Sequence, residues 1–153
     1  MMRRHILSIM MAMALSMGVA SCELERDHNG DLAGYWHLER VDTLQTGGVK
    51  DMSRDRVFWA VQGKLLYLRD ADHPDSCYFM RFVPSDGHLT LSQPYYYGWH
   101  QDTEDGGDHP VTEVSWLARF GINALEEKYN AEQLTASRMT LATDRLRLHF
   151  KKF

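Results

Sequence analysis

Residues 145–151 read RLRLHFK. Leu146, Leu148 and Phe150 alternate with Arg145, Arg147 and His149. A period of two puts the apolar set on one face of a β-strand and the basic set on the other. No helix accommodates that order, because residues three and four apart would then mix apolar and charged groups on every face. Working back from this strand, Ser137–Ala142 and Glu127–Leu134 read as two further strands. Ahead of them, His88–Ser92 sets Leu89 and Leu91 against Thr90 and Ser92, and Cys77–Val83 is a short apolar run. Pro84-Ser85-Asp86-Gly87 between these two reads as a four-residue turn. Lys64–Arg69 and Val57–Gln62 flank Gly63 and pair as a hairpin. Tyr35–Thr43, opened by Gly34, is the first of eight strands.

One segment breaks the series. Gln93 to Pro110 is a long connection containing YYYGWHQDTEDGGDHP. After it, Thr112 suits an N-cap, Glu113 a first turn, and Val114, Leu117 and Phe120 share a helical face before Gly121 at the C′ position. One short helix is expected there. Eight short strands with one helix predict an all-β domain, either an eight-stranded antiparallel barrel or a β-sandwich. An eight-stranded barrel has an interior that side chains just fill, or that holds one small ligand.

The chain has 153 residues, with 17 Lys plus Arg against 21 Asp plus Glu, a formal −4. This length suits one domain. The acidic balance argues against nucleic acid as a partner, which calls for a basic patch. Residues 1–21 are set apart. Arg3 and Arg4 precede an uncharged run from Ile6 to Val19, and six of the nine methionines fall in this stretch. The run is short for a membrane span, which needs about 20 apolar residues. It reads as a secretory signal peptide.

Val19-Ala20-Ser21-Cys22 resembles the bacterial lipobox. The resemblance implies cleavage before Cys22, acylation of that cysteine, and a membrane partner reached through an N-terminal lipid anchor. Several acyl chains hold where one dissociates, since each buried methylene contributes about 0.8 kcal/mol. Residues 22–33 are then the lipidated cysteine and a polar tether, and 34–153 the folded domain. Acidic residues soon after such a cysteine resemble a surface-export signal of some Gram-negative bacteria. Loss of Arg3 and Arg4 leaves the mature chain more acidic, which disfavours attraction of the whole protein to an anionic bilayer. Cys77 is then the one ordinary thiol and reads as a small core residue.

Gly34-Tyr35-Trp36 resembles the G-x-W motif that opens the first strand of lipocalins. Together with the lipobox and the eight-strand pattern, it makes the mature chain similar to the lipocalin-like lipoproteins of Gram-negative bacteria. Arg119-Phe120-Gly121-Ile122 and the 137–153 hairpin are similar to theirs as well. The resemblance implies a lipocalin-like barrel closed at one end by Trp36, with Arg145 or Arg147 over its ring. It also implies a small apolar or amphipathic ligand and a place on the outer membrane, periplasmic or surface-exposed. The short helix precedes the last three strands, whereas in lipocalins it follows the barrel.

Candidate sites are few. Tyr95, Tyr96, Tyr97 and Trp99 are aromatics with polar tips that suit a binding mouth, helped by the Val114–Phe120 helix, or that plug a barrel end. His100, Asp102, Glu104, Asp105, Asp108 and His109 form a polar loop whose spacing does not match a calcium-binding loop. His73, Asp75 and His88 are candidates for a shared rim. Glu126 and Glu127 are adjacent and would point to opposite faces of a strand, so they make no catalytic carboxylate pair. No nucleophile elbow, zinc-helix, P-loop or dinucleotide motif occurs. The expectation is a non-enzymatic protein without metal or cofactor. A filled barrel contacting an envelope protein or glycan is the competing function.

Overall fold

The computed structural model describes residues 28–96 and 109–153. Cys22, Tyr97, Trp99, the polar residues His100, Asp102, Glu104, Asp105 and Asp108, and the signal segment lie outside these residues.

Among the described residues ten strands occur in the order β1 (Gly34–Thr43), β2 (Gly48–Asp51), β3 (Val57–Gln62), β4 (Leu65–Asp70), β5 (Cys77–Ser85), β6 (His88–Tyr96), β7 (His109–Pro110), β8 (Glu127–Leu134), β9 (Arg138–Ala142) and β10 (Leu146–Lys152). Eight of them close a barrel with neighbours β1, β3, β4, β5, β6, β8, β9 and β10, and β10 pairs back onto β1. All these pairings are antiparallel. Closure excludes the sandwich, whose two sheets would leave edges unpaired. β2 and β7 are short additions, one on the second half of β1 and the other on the end of β6.

The alternation that marks the strands also fills the barrel. Trp36, Leu38, Trp59, Leu66, Leu68, Met80, Leu91, Tyr129, Met139, Leu148 and Phe150 point inward and are buried. The β5–β6 turn is the four-residue turn expected, one residue later, at Ser85–His88. Ser85 pairs with His88, and the loop is Asp86-Gly87 alone, both at positive φ (46° and 77°). That is a two-residue hairpin turn matched to the strand twist. Pro84 is tolerated in β5 because the pairing with β4 ends at Arg81, so one side of the strand is a free edge there.

The short helix is a different object. Val114–Trp116 and Ala118–Phe120 are two successive 3₁₀ turns, with Leu117 N–H bonded to Val114 O (2.9 Å) and Phe120 N–H to Leu117 O (3.0 Å). The N-terminal residue is Glu113, with no side-chain cap. A 3₁₀ turn stacks residues i and i+3, so Leu117 and Phe120 fall on one line. Both are buried in the barrel core. Residues 111–122 therefore form a strap with its apolar side sunk into one barrel end. Gly121 ends it at φ 81°, where a Cβ would lie 2.6 Å from Leu148 Cδ2.

Candidate functional site

The barrel has two unlike ends. The first carries the β3–β4, β5–β6 and β8–β9 turns and the start of β1. Here the folded unit begins before Gly34. Gly30–Leu32 is a 3₁₀ turn, Leu32 is buried, and the Trp36 indole N–H donates to Leu32 O (2.8 Å). Leu32 is the apolar residue that draws the end of the polar tether onto the barrel.

The cation over Trp36 is Lys152, neither Arg145 nor Arg147. Its Nζ lies 4.6 Å from the ring centroid and donates to Ala33 O (2.7 Å) and Asp31 O (2.9 Å). The β1–β10 register decides this. Lys152 faces Trp36, whereas Arg147 faces Asp42, six residues along β1, or about 20 Å at roughly 3.3 Å per residue. Arg147 instead forks onto Glu132 (2.6 and 2.9 Å). Arg145 sits in the β9–β10 turn at the other end, exposed. Gly34 starts β1 at φ 121°, a backbone conformation that favours glycine, and a Cβ there would be in ordinary contact with Lys152 Cε at 3.4 Å.

The middle of the barrel is filled. Trp59 packs on Phe150 (centroids 4.9 Å) and edge-on to Tyr129 (6.0 Å). Its indole N–H reaches Phe120 O (3.2 Å), and the Tyr129 hydroxyl donates to Gly121 O (2.9 Å). Burial, with Glu127 beside it, pushes the Tyr129 phenol well above its ordinary range. Among the described residues no buried side-chain nitrogen or oxygen lacks a partner. A core with every polar atom paired is a built interior.

At the second end the strap is latched. Asp70, at the end of β4, is fully buried. Its carboxylate takes Arg119 Nε from the strap, His73 Nδ1 (2.9 Å) and the Asp72 backbone N–H (3.0 Å). Arg119 Nη1 also lies 3.7 Å from Asp55. Burial pushes the Asp70 carboxyl up, but the bonds from His73, Arg119 and Asp72 outweigh it and hold the group below its ordinary value. His73 belongs to this latch. His88 begins β6 beside the β5–β6 turn at the opposite end, so His73, Asp75 and His88 form no common rim.

An opening survives beside the strap. β6 pairs with β8 as far as Leu91 opposite Glu127, and then turns to β7. Gln93 at φ 51° makes the departure. Ser92 faces Arg81 and Tyr95 faces Phe79, so Gln93 and Pro94 both oppose Met80, a β-bulge. The resulting cleft has a volume of about 440 Å³ and is open to solvent. Pro94, Tyr95, Pro110, Val111 and Leu125 line it, with Ser92, Gln93 and Glu126 as its polar groups. This cleft escaped the sequence reading apart from Tyr95. A glutamine at positive φ is not marked by residue type, and the strap residues meet β6 only through the fold.

The aromatic run is divided by the strand it extends. Tyr96 turns to the core and meets Tyr78 edge-on (6.0 Å), whereas Tyr95 lies opposite Phe79. Tyr67 stacks on Phe79 (4.9 Å), so an aromatic row crosses the outer wall of β4, β5 and β6. A smaller rim pocket of about 180 Å³ lies between Tyr67, Arg69, Pro74, Asp75, Cys77 and Tyr96. Cys77 there is buried and donates to Pro74 O (3.2 Å). Among the described residues no group of three or more His, Cys, Asp or Glu side chains is placed to hold a metal ion.

Comparison with known proteins bears on the fold. A family model described as a lipocalin-like domain matches residues 14–153. The crystal structure of a lipocalin-like protein from Bacteroides uniformis superposes with a TM-score of 0.60 at 19% identity, covering 81% of this chain and 100% of the other. An uncharacterized protein from Bacteroides eggerthii gives 0.56 at 18% identity, covering 79% and 98%. No curated protein matches.

Proposed function

The chain belongs to the lipocalin-like domain family, and from that premise we propose a non-enzymatic, lipid-anchored envelope protein that binds a small amphipathic ligand in the cleft between β6 and the strap. Signal peptide, Cys22 acylation and outer-membrane placement rest on the sequence pattern of residues 1–22. The observation that carries the binding reading is the contrast between a filled interior and an open cleft. Ligand sites commonly measure about 300–1,000 Å³ and combine apolar walls with a few polar groups. The cleft falls in that volume range and sets Pro94, Tyr95, Pro110, Val111 and Leu125 beside Ser92, Gln93 and Glu126. Glu126 on its wall favours neutral or cationic ligands over fatty acids. Tyr95 supplies a ring with a polar tip, and in the sequence Tyr96, Tyr97 and Trp99 continue from it.

Titration with the neutral fluorophore N-phenyl-1-naphthylamine tests this. Saturable binding that Tyr95→Ala and Leu125→Ser each weaken supports the cleft. Saturable binding unaffected by both, or none at all, rejects it. Anchoring is tested apart: Cys22→Ala should move the protein from the membrane to the soluble or unprocessed fraction, and unchanged fractionation would contradict it. The filled interior also favours a second reading, an accessory lipoprotein that contacts an envelope protein or glycan. Absence of any probe binding would leave that one.

A further inference from the structure

The end of the barrel sealed by Trp36 and Lys152 carries more than a seal. Asn29 Nδ2 donates to Gly63 O (2.8 Å), which pins the entering chain beside the β3–β4 turn. His28 is six residue steps from Cys22. At about 3.3–3.6 Å per residue, that stretch spans at most roughly 22 Å. An anchor at Cys22 therefore keeps this end near the bilayer.

The same end is apolar at its surface. Leu65 is 40%, Val83 59%, Leu134 40% and Phe153 87% exposed. The Phe153 ring extends an outer-wall aromatic group with Tyr35 and Phe58 (6.2 and 5.6 Å). Lys64, Arg81 and Lys151 stand around these residues. Asp31 and Asp86 are the nearby carboxylates, and Arg138 is matched by Glu39 (3.3 Å). At the strap end Asp51, Asp72, Asp75, Glu126 and Asp144 are interspersed with Lys50, Arg54, Arg56, Arg69 and Arg145, and Leu44, Val49, Trp116 and Leu125 are exposed there too, so the reach of the Cys22 tether is what distinguishes the two ends.

We propose that this end is a membrane-docking face, with Leu65, Val83, Leu134 and Phe153 seated among lipid headgroups and Lys64, Arg81 and Lys151 on anionic ones. The inference rests on the Cys22 anchor proposed above. The acyl chains supply the attachment and the face sets the orientation. Basic groups are drawn to an anionic surface, and a tyrosine such as Tyr35 beside Phe153 favours the headgroup level. Glu23, Glu25 and Asp27 in the tether oppose the charge contribution, which leaves the apolar side chains the larger part. The docked barrel turns its strap end, and the cleft beside it, away from the bilayer.

The test uses the full lipidated chain in vesicles of two parts phosphatidylcholine to one part phosphatidylglycerol. A fluorophore is placed through Val83→Cys, or through Val49→Cys at the other end as the reference. Headgroup nitroxide lipids should quench the first several-fold more than the second. Phe153→Ser with Lys64→Gln and Arg81→Gln should shrink that difference while the protein stays in the vesicle fraction. Equal quenching at the two positions, or stronger quenching at 49, overturns docking while leaving the anchor standing. Intact mass scores acylation independently. A chain not acylated at Cys22 overturns the anchor and the docking face with it.

Discussion

At one end of this barrel a single lysine, Lys152, stands over Trp36 and ties down the chain that enters beside it. At the other, residues 111–122 reach into the barrel with Leu117, Phe120 and Ile122 and are held from outside by Arg119 on Asp70. The first seal lies within the strand pairing, since Lys152 and Trp36 are direct partners of adjacent strands. The second joins a segment without ladder pairing to the end of a distant strand. A seal built into the ladder moves only if the barrel does. A seal made of buried side chains, two hydrogen bonds to its carbonyls from Trp59 and Tyr129, and one ion pair can loosen without the ladder moving.

Removing the aromatic plugs should have the largest effect. Trp36→Ala and Phe120→Ala each empty a fully buried aromatic site and should destabilise by about 3–5 kcal/mol, read as a shift of the denaturant midpoint. If the two ends differ as described, Phe120→Ala also opens space under the strap, against Tyr78 and Trp59, and raises fluorophore uptake, whereas Trp36→Ala does not. Equal uptake would break the distinction.

Asp70→Asn comes next. It keeps the shape of the side chain but strips Arg119 of its buried counter-charge, and should cost about 2–3 kcal/mol, below the figure for a fully buried pair because Arg119 is partly solvated. The acid limb carries the same information. Asp70 has its folded pKa lowered, so its contribution is complete above the unfolded carboxylate value near 4 and disappears as pH falls through the folded value. Asp42, held low by Arg40 and His149, acts in the same direction. The thermal midpoint of the native protein should therefore fall as pH drops below about 4. In Asp70→Asn that fall should be shallower. An unchanged slope would show that the latch does not contribute.

Lys152→Met keeps the stem over Trp36 and removes the charge, so about 1–2 kcal/mol should be lost. Arg147→Met, remote from Trp36 and half-exposed with Glu132, should shift stability by less than about 1 kcal/mol. A larger effect at Arg147 would return the seal to the arginine.

The strands were legible because period-two alternation needs no knowledge of partners. Leu146, Leu148 and Phe150 declare their face from the sequence alone. β2 was not, because Gly48–Asp51 is exposed throughout and is a strand only by pairing with β1. The strap was misread because Val114, Leu117 and Phe120 sit at a spacing common to α and 3₁₀ turns, and the interior of the barrel chooses between them. Asp86-Gly87 was a readable signal, since both residues favour positive φ in a two-residue hairpin. Lys152 was hidden by register: which cation covers Trp36 depends on where β10 meets β1. The cleft was hidden by the bulge at Gln93, a backbone feature with no residue signature.

The smallest expected effect on stability separates the cleft from the core. Tyr95→Ala should change the thermal midpoint little, because the ring is half-exposed and outside the packed interior. It should weaken fluorophore binding about tenfold.

The most direct measurement is a map of amide and indole chemical shifts during titration with N-phenyl-1-naphthylamine. Binding in the cleft predicts saturable shifts at Ser92, Gln93, Tyr95, Val111, Leu125 and Glu126, with the Trp59 indole N–H and the Tyr129 and Phe150 amides unmoved. Saturable shifts centred on Trp59, Tyr129 and Phe150, with the cleft unmoved, would place the ligand inside the barrel and contradict the account.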